Sequence, residues 1–344
     1  MTLLSEWARL KKQLDKQDGQ VLGRLVAAYG LTYMRITPQI TALMEQMDAQ
    51  LISGKLTKAS ISESAAYKNL IRSIEDELTA YEGYLRTEVS LATTAAAKSG
   101  LSSGKFLMIA ALADAMGIAI ADVPRNLVAN ATPDALNFLA DYLDPRGALF
   151  GKIQYLSGYH STEIAQGILD QVAQGVNPKV IANWITDEYG VGLTDSMRMM
   201  RTSQLYSYRQ ASRAVTMANA DVLQGQVWCA TLDDVCCDSC VALHGTWFPA
   251  DAICDDHHNG HCALLPWIDG VENPVGQTGE EWFNEQDEKT QVDRLGQTKY
   301  DLYKGGQMNF SDLSHTYEDP VFGTMRGATP LWEILGAEPP VRTK

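Results

Sequence analysis

The sequence predicts an α+β chain that is predominantly α, with a helical N-terminal region followed by a small α+β domain built around a Cys/His metal knuckle. Three observations carry this reading. Through residues 1–143 the apolar residues recur at helical spacing. At Gly225 the pattern switches to alternation, and Gln226-Val-Trp-Cys-Ala-Thr-Leu232 reads as a strand. All six cysteines, at 229, 236, 237, 240, 254 and 262, fall within 34 residues, together with His244, His257, His258 and His261.

Trp7, Leu10 and Leu14, then Val21, Leu22, Leu25 and Val26, predict a first helix, with Gly19, Gly30 and Pro38 as expected interruptions. Ile40 to Leu51 reads as a second. After Ser60 the residues Tyr67, Ile71, Ile74, Leu78, Tyr81 and Leu85 alternate steps of four and three. That is a heptad seam, and fewer than three heptads favour packing within the chain over a free coiled coil. The apolar stretch Phe106 to Val123 approaches a membrane span in length, but Asp114 and Asp122 interrupt it, so a buried helix is expected.

Pro124, Pro133 and Pro145 punctuate a looser stretch, and Asp144-Pro145-Arg146-Gly147 is the expected boundary. The domain reading is therefore a helical region over 1–144, a domain over 145–268 and a helical tail over 269–344 packed on it. Short amphipathic helices are expected over Thr162 to Gln174 and Pro178 to Asp187. A longer helix is expected from Thr194, its cap, to Leu223.

Net charge is −14, and its distribution excludes some functions. Residues 1–60 carry +3, 61–228 carry −4, 229–266 carry −6 and 267–344 carry −7. A broad duplex-DNA binder needs a basic surface, which this chain does not offer. Arg198, Arg201, Arg209 and Arg213 form the one sizeable basic stripe, spaced near one helix face with no acid between Asp195 and Asp221. Such a stripe can grip phosphates or an acidic partner, or simply pair with the chain's own surplus carboxylates. The first residues interleave acid and base without an apolar signal core, so a reducing cytoplasm is expected and a disulfide scaffold is disfavoured.

Cys237-Asp-Ser-Cys240 is a C-x2-C knuckle, and fourteen residues separate it from Asp255-Asp-His-His-Asn-Gly-His-Cys262. A knuckle of this kind presents two thiolates to one tetrahedral ion, and a second His/Cys pair closes the shell. The preferred ligands are Cys237, Cys240, His257 and Cys262, with Cys236, His258 and His261 as alternatives. Zn2+ in a structural role suits three thiolates and one imidazole, and the resulting net charge near −1 calls for buried amide donors to the sulfurs. Reduced thiols without metal are the competing reading. No catalytic residue is assigned, because H-E-x-x-H is absent. The Asp-His-His string looks like the start of an HNH nuclease motif, but the helix that should follow is missing.

These residues resemble the phage head morphogenesis family, the minor head proteins typified by phage Mu protein F. The resemblance rests on Arg201-Thr202-Ser203, Ala230-Thr-Leu-Asp233, Cys237-Asp-Ser-Cys240, Leu243-His-Gly245 and His257-His-Asn-Gly-His-Cys262 before Ala263-Leu-Leu-Pro266, with Gly175-Val-Asn-Pro178 upstream. It covers about 145–268, and residues 278–313 are similar to a tail carried by some members. Ser203 stands where Glu is usual, His261 where Arg is usual and Gly260 where many members have a further Cys. The resemblance implies a non-enzymatic minor capsid protein, made in the host cytoplasm and incorporated in the virion head near the portal. Its implied partners are the portal protein and the major capsid or scaffold protein, with weak contact to packaged DNA and none to membrane. The rival classes are an HNH-like metal-dependent nuclease and a zinc-dependent nucleic-acid-binding module.

Overall fold

A computed structural model describes residues 2–339 of the chain. The architecture is predominantly helical with two small antiparallel sheets, as the sequence predicts. Three long helices dominate: α1 (Leu3–Ile52), α3 (Ala65–Met116) and α6 (Pro178–Met217). Between them lie α2 (Lys58–Ser62), α4 (Phe138–Tyr142) and α5 (Ala148–Ala173). No helix among the described residues is long and apolar enough to cross a membrane.

The chain divides into two compact units, each discontinuous in sequence: Met1–Leu14, Thr94–Phe138 and Leu205–Lys344 make one, and Asp15–Thr93 with Leu139–Gln204 the other. The anticipated segments 1–144, 145–268 and 269–344 do not coincide with them, because the cuts fall inside α1, α3, α4 and α6 rather than at the proline-rich stretch.

Several expected helix breaks do not occur. Gly19, Gly30 and Pro38 lie inside α1, which runs on without interruption. Pro38 is exposed while Ile36, Ile40 and Leu43 are buried, so the packed face on both sides offsets the missing backbone bond. Likewise α6 begins at Pro178, where its ring is pre-set for the first turn, and passes through Gly190 and Gly192. Thr194 is therefore not a cap, and its hydroxyl donates back to the Gly190 carbonyl at 3.5 Å. Gly192 is required by space: a Cβ there would lie 2.5 Å from the Tyr29 hydroxyl. Tyr29 packs edge-on to Tyr81 (4.7 Å between centroids) and tilted against Tyr189 (4.8 Å), and it donates to the Tyr189 carbonyl. The seam of α3 buries Leu70, Ile74, Leu78, Tyr81, Leu85 and Val89, with Leu70 rather than Ile71 on the buried face.

The alternating segment at Gly225 forms β1 (Leu223–Cys229), the centre of an antiparallel sheet between β2 (Trp247–Phe248) and β3 (Ala263–Ile268). Val227 pairs with Leu265 and with Trp247. The period of two gives this sheet two faces. Val227, Cys229 and Leu265 join the helical core with Trp7, Leu107, Tyr208 and Val215, which makes Cys229 a packing residue. Trp228, Ala230 and Leu264 face the other way, onto Cys240 and Cys262.

Residues 269–339, the described part of the expected helical tail 269–344, are not purely helical. After α8 (Gly279–Asn284), α9 (Glu288–Leu295) and α10 (Gln297–Lys304) comes a hairpin, β4 (Ser314–Asp319) and β5 (Gly323–Ala328), and then α11 (Leu331–Ile334). Asp319 makes the turn by accepting from the amides of Val321 (2.8 Å) and Phe322 (3.0 Å) through one carboxylate oxygen.

Candidate metal centre

The knuckle is the start of a short helix, α7 (Asp238–Leu243). Cys237 caps it, its sulfur accepting from the Cys240 amide at 3.4 Å. This supplies one of the amide donors that a thiolate-rich site calls for. Cys240, one turn on, is 3% exposed and packs against the Trp228 face of the sheet.

The second half of the motif folds back onto this turn. His257 Nε2 lies 3.2 Å from the Cys237 sulfur and 3.4 Å from that of Cys240. Its other nitrogen, Nδ1, lies 2.8 Å from the His258 carbonyl and donates to it, so Nε2 is the nitrogen that faces the sulfurs and offers its lone pair once deprotonated. In a tetrahedral shell with Zn–S about 2.3 Å and Zn–N about 2.0–2.1 Å, neighbouring S and N ligands stand about 3.6 Å apart, so this spacing suits a shared ion. Two sets of possible ligands converge to within 4.8 Å among the described residues: Cys237, Cys240 and His257, and Cys240, Asp256 and Cys262. Cys240 belongs to both, and its sulfur also contacts those of Cys236, Cys237 and Cys262. The Cys237, Cys240, His257 and Cys262 cluster therefore has the donors and the spacing to hold a metal ion.

The electrostatics follow from those contacts. Contact with the Cys240 side chain, with help from His257, draws the Cys237 thiol down to about 5 despite burial. Cys240 itself is pushed up, by its neighbouring sulfurs first and then by burial and the Asp256 charge. The contact with Cys240 lowers Cys262, but burial and Asp256 outweigh it and hold the thiol at about 11. Contact with the Cys237 sulfur, opposed by burial and aided by Asp256, raises His257 to about 9.

The other candidates have different positions. Cys236 touches the Cys240 sulfur from the edge of the cluster. His258 turns away: Nε2 lies 3.2 Å from Asp319, and the ring meets Phe322 edge-on. His261 is in neither ligand set. His244, counted in the sequence cluster, accepts from the Ala230 amide at 3.0 Å and so pins the end of β1.

The arginine stripe is not one free face. Arg198 pairs with Asp195 at 3.1 Å and Arg201 with Asp18 at 2.8 Å, while Arg213 donates to the Asp251 carbonyl at 2.6 Å. Arg209, on α6, has a side chain only 9% exposed that reaches the loop carrying His257 and Cys262, 2.8 Å from Asp256. Sequence reasoning missed this pair, and it missed the brace from the C-terminal hairpin. There Arg326 binds both Asp255 oxygens at 2.8 and 3.0 Å, and Ser314 meets Ser239 at 2.8 Å.

In comparisons with known proteins, no family model, no curated protein and no solved structure matches the chain.

Proposed function

We propose that the protein is a phage minor head protein, a portal-associated structural component of the virion head whose small α+β domain is stapled by Zn2+ on Cys237, Cys240, His257 and Cys262. The convergence of the two motif halves on Cys240 carries this reading, because these are the residues on which the resemblance rests. The Leu243-His-Gly245 element also has a structural reason at each polar or glycine position. His244 pins β1, and Gly245 has φ +81° with the Thr278 backbone 2.9 Å from where a Cβ would be. An HNH-like nuclease gains no support from His258, whose Nε2 lies 3.2 Å from Asp319 rather than at the sulfur cluster. Mass spectrometry of purified full heads tests the proposal. Peptides of this chain should appear alongside portal and capsid protein, and full heads that contain both but none of this chain would overturn it.

Zinc is the ion that soft thiolates and one imidazole suit, whereas Mg2+ or Ca2+ would demand an oxygen shell. At pH 7 the metal-free site holds protons on His257 (about 9), Cys262 (about 11) and Cys240 (raised further), while Cys237 (about 5) has lost its own. Ligands must be deprotonated to bind, so loading at pH 7 should release about three protons per ion. Affinity then rises with pH and is lost on acidification. Calorimetric titration in buffers of different ionisation enthalpy measures the number, and release of less than about one proton would contradict this ligand set.

A further inference from the structure

His257 and Cys262 are carried by one short loop, and a loop of this kind has no regular backbone bonds to hold its ligands in place. Here a buried ion pair takes that role. Asp256 is 2% exposed. One of its oxygens accepts from the His257 amide at 2.9 Å and from the Cys240 S–H at 3.4 Å. The other accepts from the Cys262 amide at 2.9 Å and from Arg209 Nη2 at 2.8 Å. The same Arg209 nitrogen reaches the Gly260 carbonyl at 2.9 Å and the Cys262 carbonyl at 2.8 Å, with Nε 3.2 Å from the latter. The pair thus grips the loop at the amide of each ligand residue and at two carbonyls near its end. No bond in this ring passes through a metal. Each Asp256 oxygen also accepts from a backbone amide, that of His257 or of Cys262, so the carboxylate acts as a template beside the sulfurs.

We infer that Arg209 and Asp256 form a metal-independent latch that folds the 256–262 loop into its ligand-presenting shape, which makes Arg209 a positioning residue for the metal centre. The latch itself stands on the geometry alone, and its effect on affinity rests on the metal reading proposed above. Arg209 also offsets the Asp256 charge beside a site whose three thiolates and Zn2+ would leave a net charge near −1. Lysine cannot replace it, because one ammonium cannot serve Asp256, Gly260 and Cys262 in the planar fork geometry of a guanidinium.

The test uses the full chain, wild type beside Arg209→Lys, and beside Arg209→Met combined with Asp256→Asn, which leaves no buried charge if the lysine variant fails to fold. Amide hydrogen exchange over residues 254–264 is followed in protein stripped by chelator. The latch predicts protection in stripped wild type and its loss in the variants, with exchange in β1 unchanged. Cobalt(II) is then the probe of the site. Wild type should show intense thiolate-to-cobalt absorption, and the variants should bind cobalt about 10–100-fold more weakly, the range usual for loss of a group that orients ligands. An unprotected loop in stripped wild type, or equal protection in a folded variant, would overturn the latch. Protection without any cobalt binding by wild type would instead leave the latch standing and overturn the metal reading.

Discussion

Replacing Cys240 with alanine is expected to abolish metal binding and to lower the stability of the Leu223–Ile268 region by several kcal/mol, the order seen when a structural metal is lost. The size of the effect follows from its position. The Cys240 sulfur touches those of Cys236, Cys237 and Cys262, lies 3.4 Å from His257, and belongs to both convergent ligand sets. Among the described residues Cys240 is the member that the two ligand sets share. Loss of one buried sulfur from packing alone, a change comparable with removing a methyl group, should cost only about 1 kcal/mol. The two contributions separate with chelator: it should destabilise wild type to near the level of the variant and leave the variant unchanged. The unit formed by Asp15–Thr93 and Leu139–Gln204 holds none of these residues, so amide exchange there should change less than around Cys240. Elemental analysis should find about one zinc per chain in wild type purified without chelator, and a value below about 0.2 would refute the metal reading while leaving the fold untouched.

The Cys/His cluster was legible in the sequence and its support was hidden, and the difference is physical. Cys237 and Cys240 meet on one turn because three residues of helix bring them there, and a dense His/Cys return could only answer them. The strand at Gln226 was legible because a period of two is a local signal. Arg209 and Asp256 are 47 residues apart, and nothing local in either segment marks the pair. Spacing placed Arg209 on a basic stripe, whereas its helix turns it inward, so a residue read as surface is part of the site. The helix breaks failed for the same reason in reverse. Pro38, Gly190 and Gly192 weaken a helix locally, but Ile36, Ile40 and Leu43 on one side of the chain and the Tyr29–Tyr189 contact on another are tertiary interactions that outweigh them. The hairpin Ser314–Ala328 was hidden by its polar composition, since its strands are braced by Asp255 and Ser239 rather than by a continuous apolar face.

Gly260→Ala should destabilise the same region by about 3–5 kcal/mol, the cost typical of breaking a buried ion pair by disturbing one partner. In a site with room, exchanging glycine for alanine stabilises by about 0.4–1 kcal/mol through the unfolded chain, so here even the sign is diagnostic. A Cβ at 260 would lie 2.2 Å from the Asp256 carboxyl carbon and one oxygen and 2.4 Å from the other. A carboxylate at the end of a long, exposed side chain could swing aside. Asp256 has a short side chain, is fully buried, and is held by the His257 and Cys262 amides and by Arg209. Burial alone would push its carboxyl up, but Arg209, His257 and the amide donors outweigh that and hold it below the ordinary carboxylate range. Its contribution to stability is therefore present at neutral pH and lost as pH falls through that depressed value. Displacing it removes this contribution at pH 7 and much less in acid, so the gap between wild type and Gly260→Ala should narrow as pH is lowered. A cysteine at 260, where many members of the family the chain resembles carry one, would collide with Asp256 before it could offer a sulfur, so Gly260→Cys should weaken metal binding rather than add a ligand. A double-mutant cycle with Asp256→Ala decides the cause. Once the carboxylate is gone, Gly260→Ala should cost little, giving strong non-additivity, whereas additive losses in thermal denaturation would show that Gly260 matters for a reason unrelated to the ion pair.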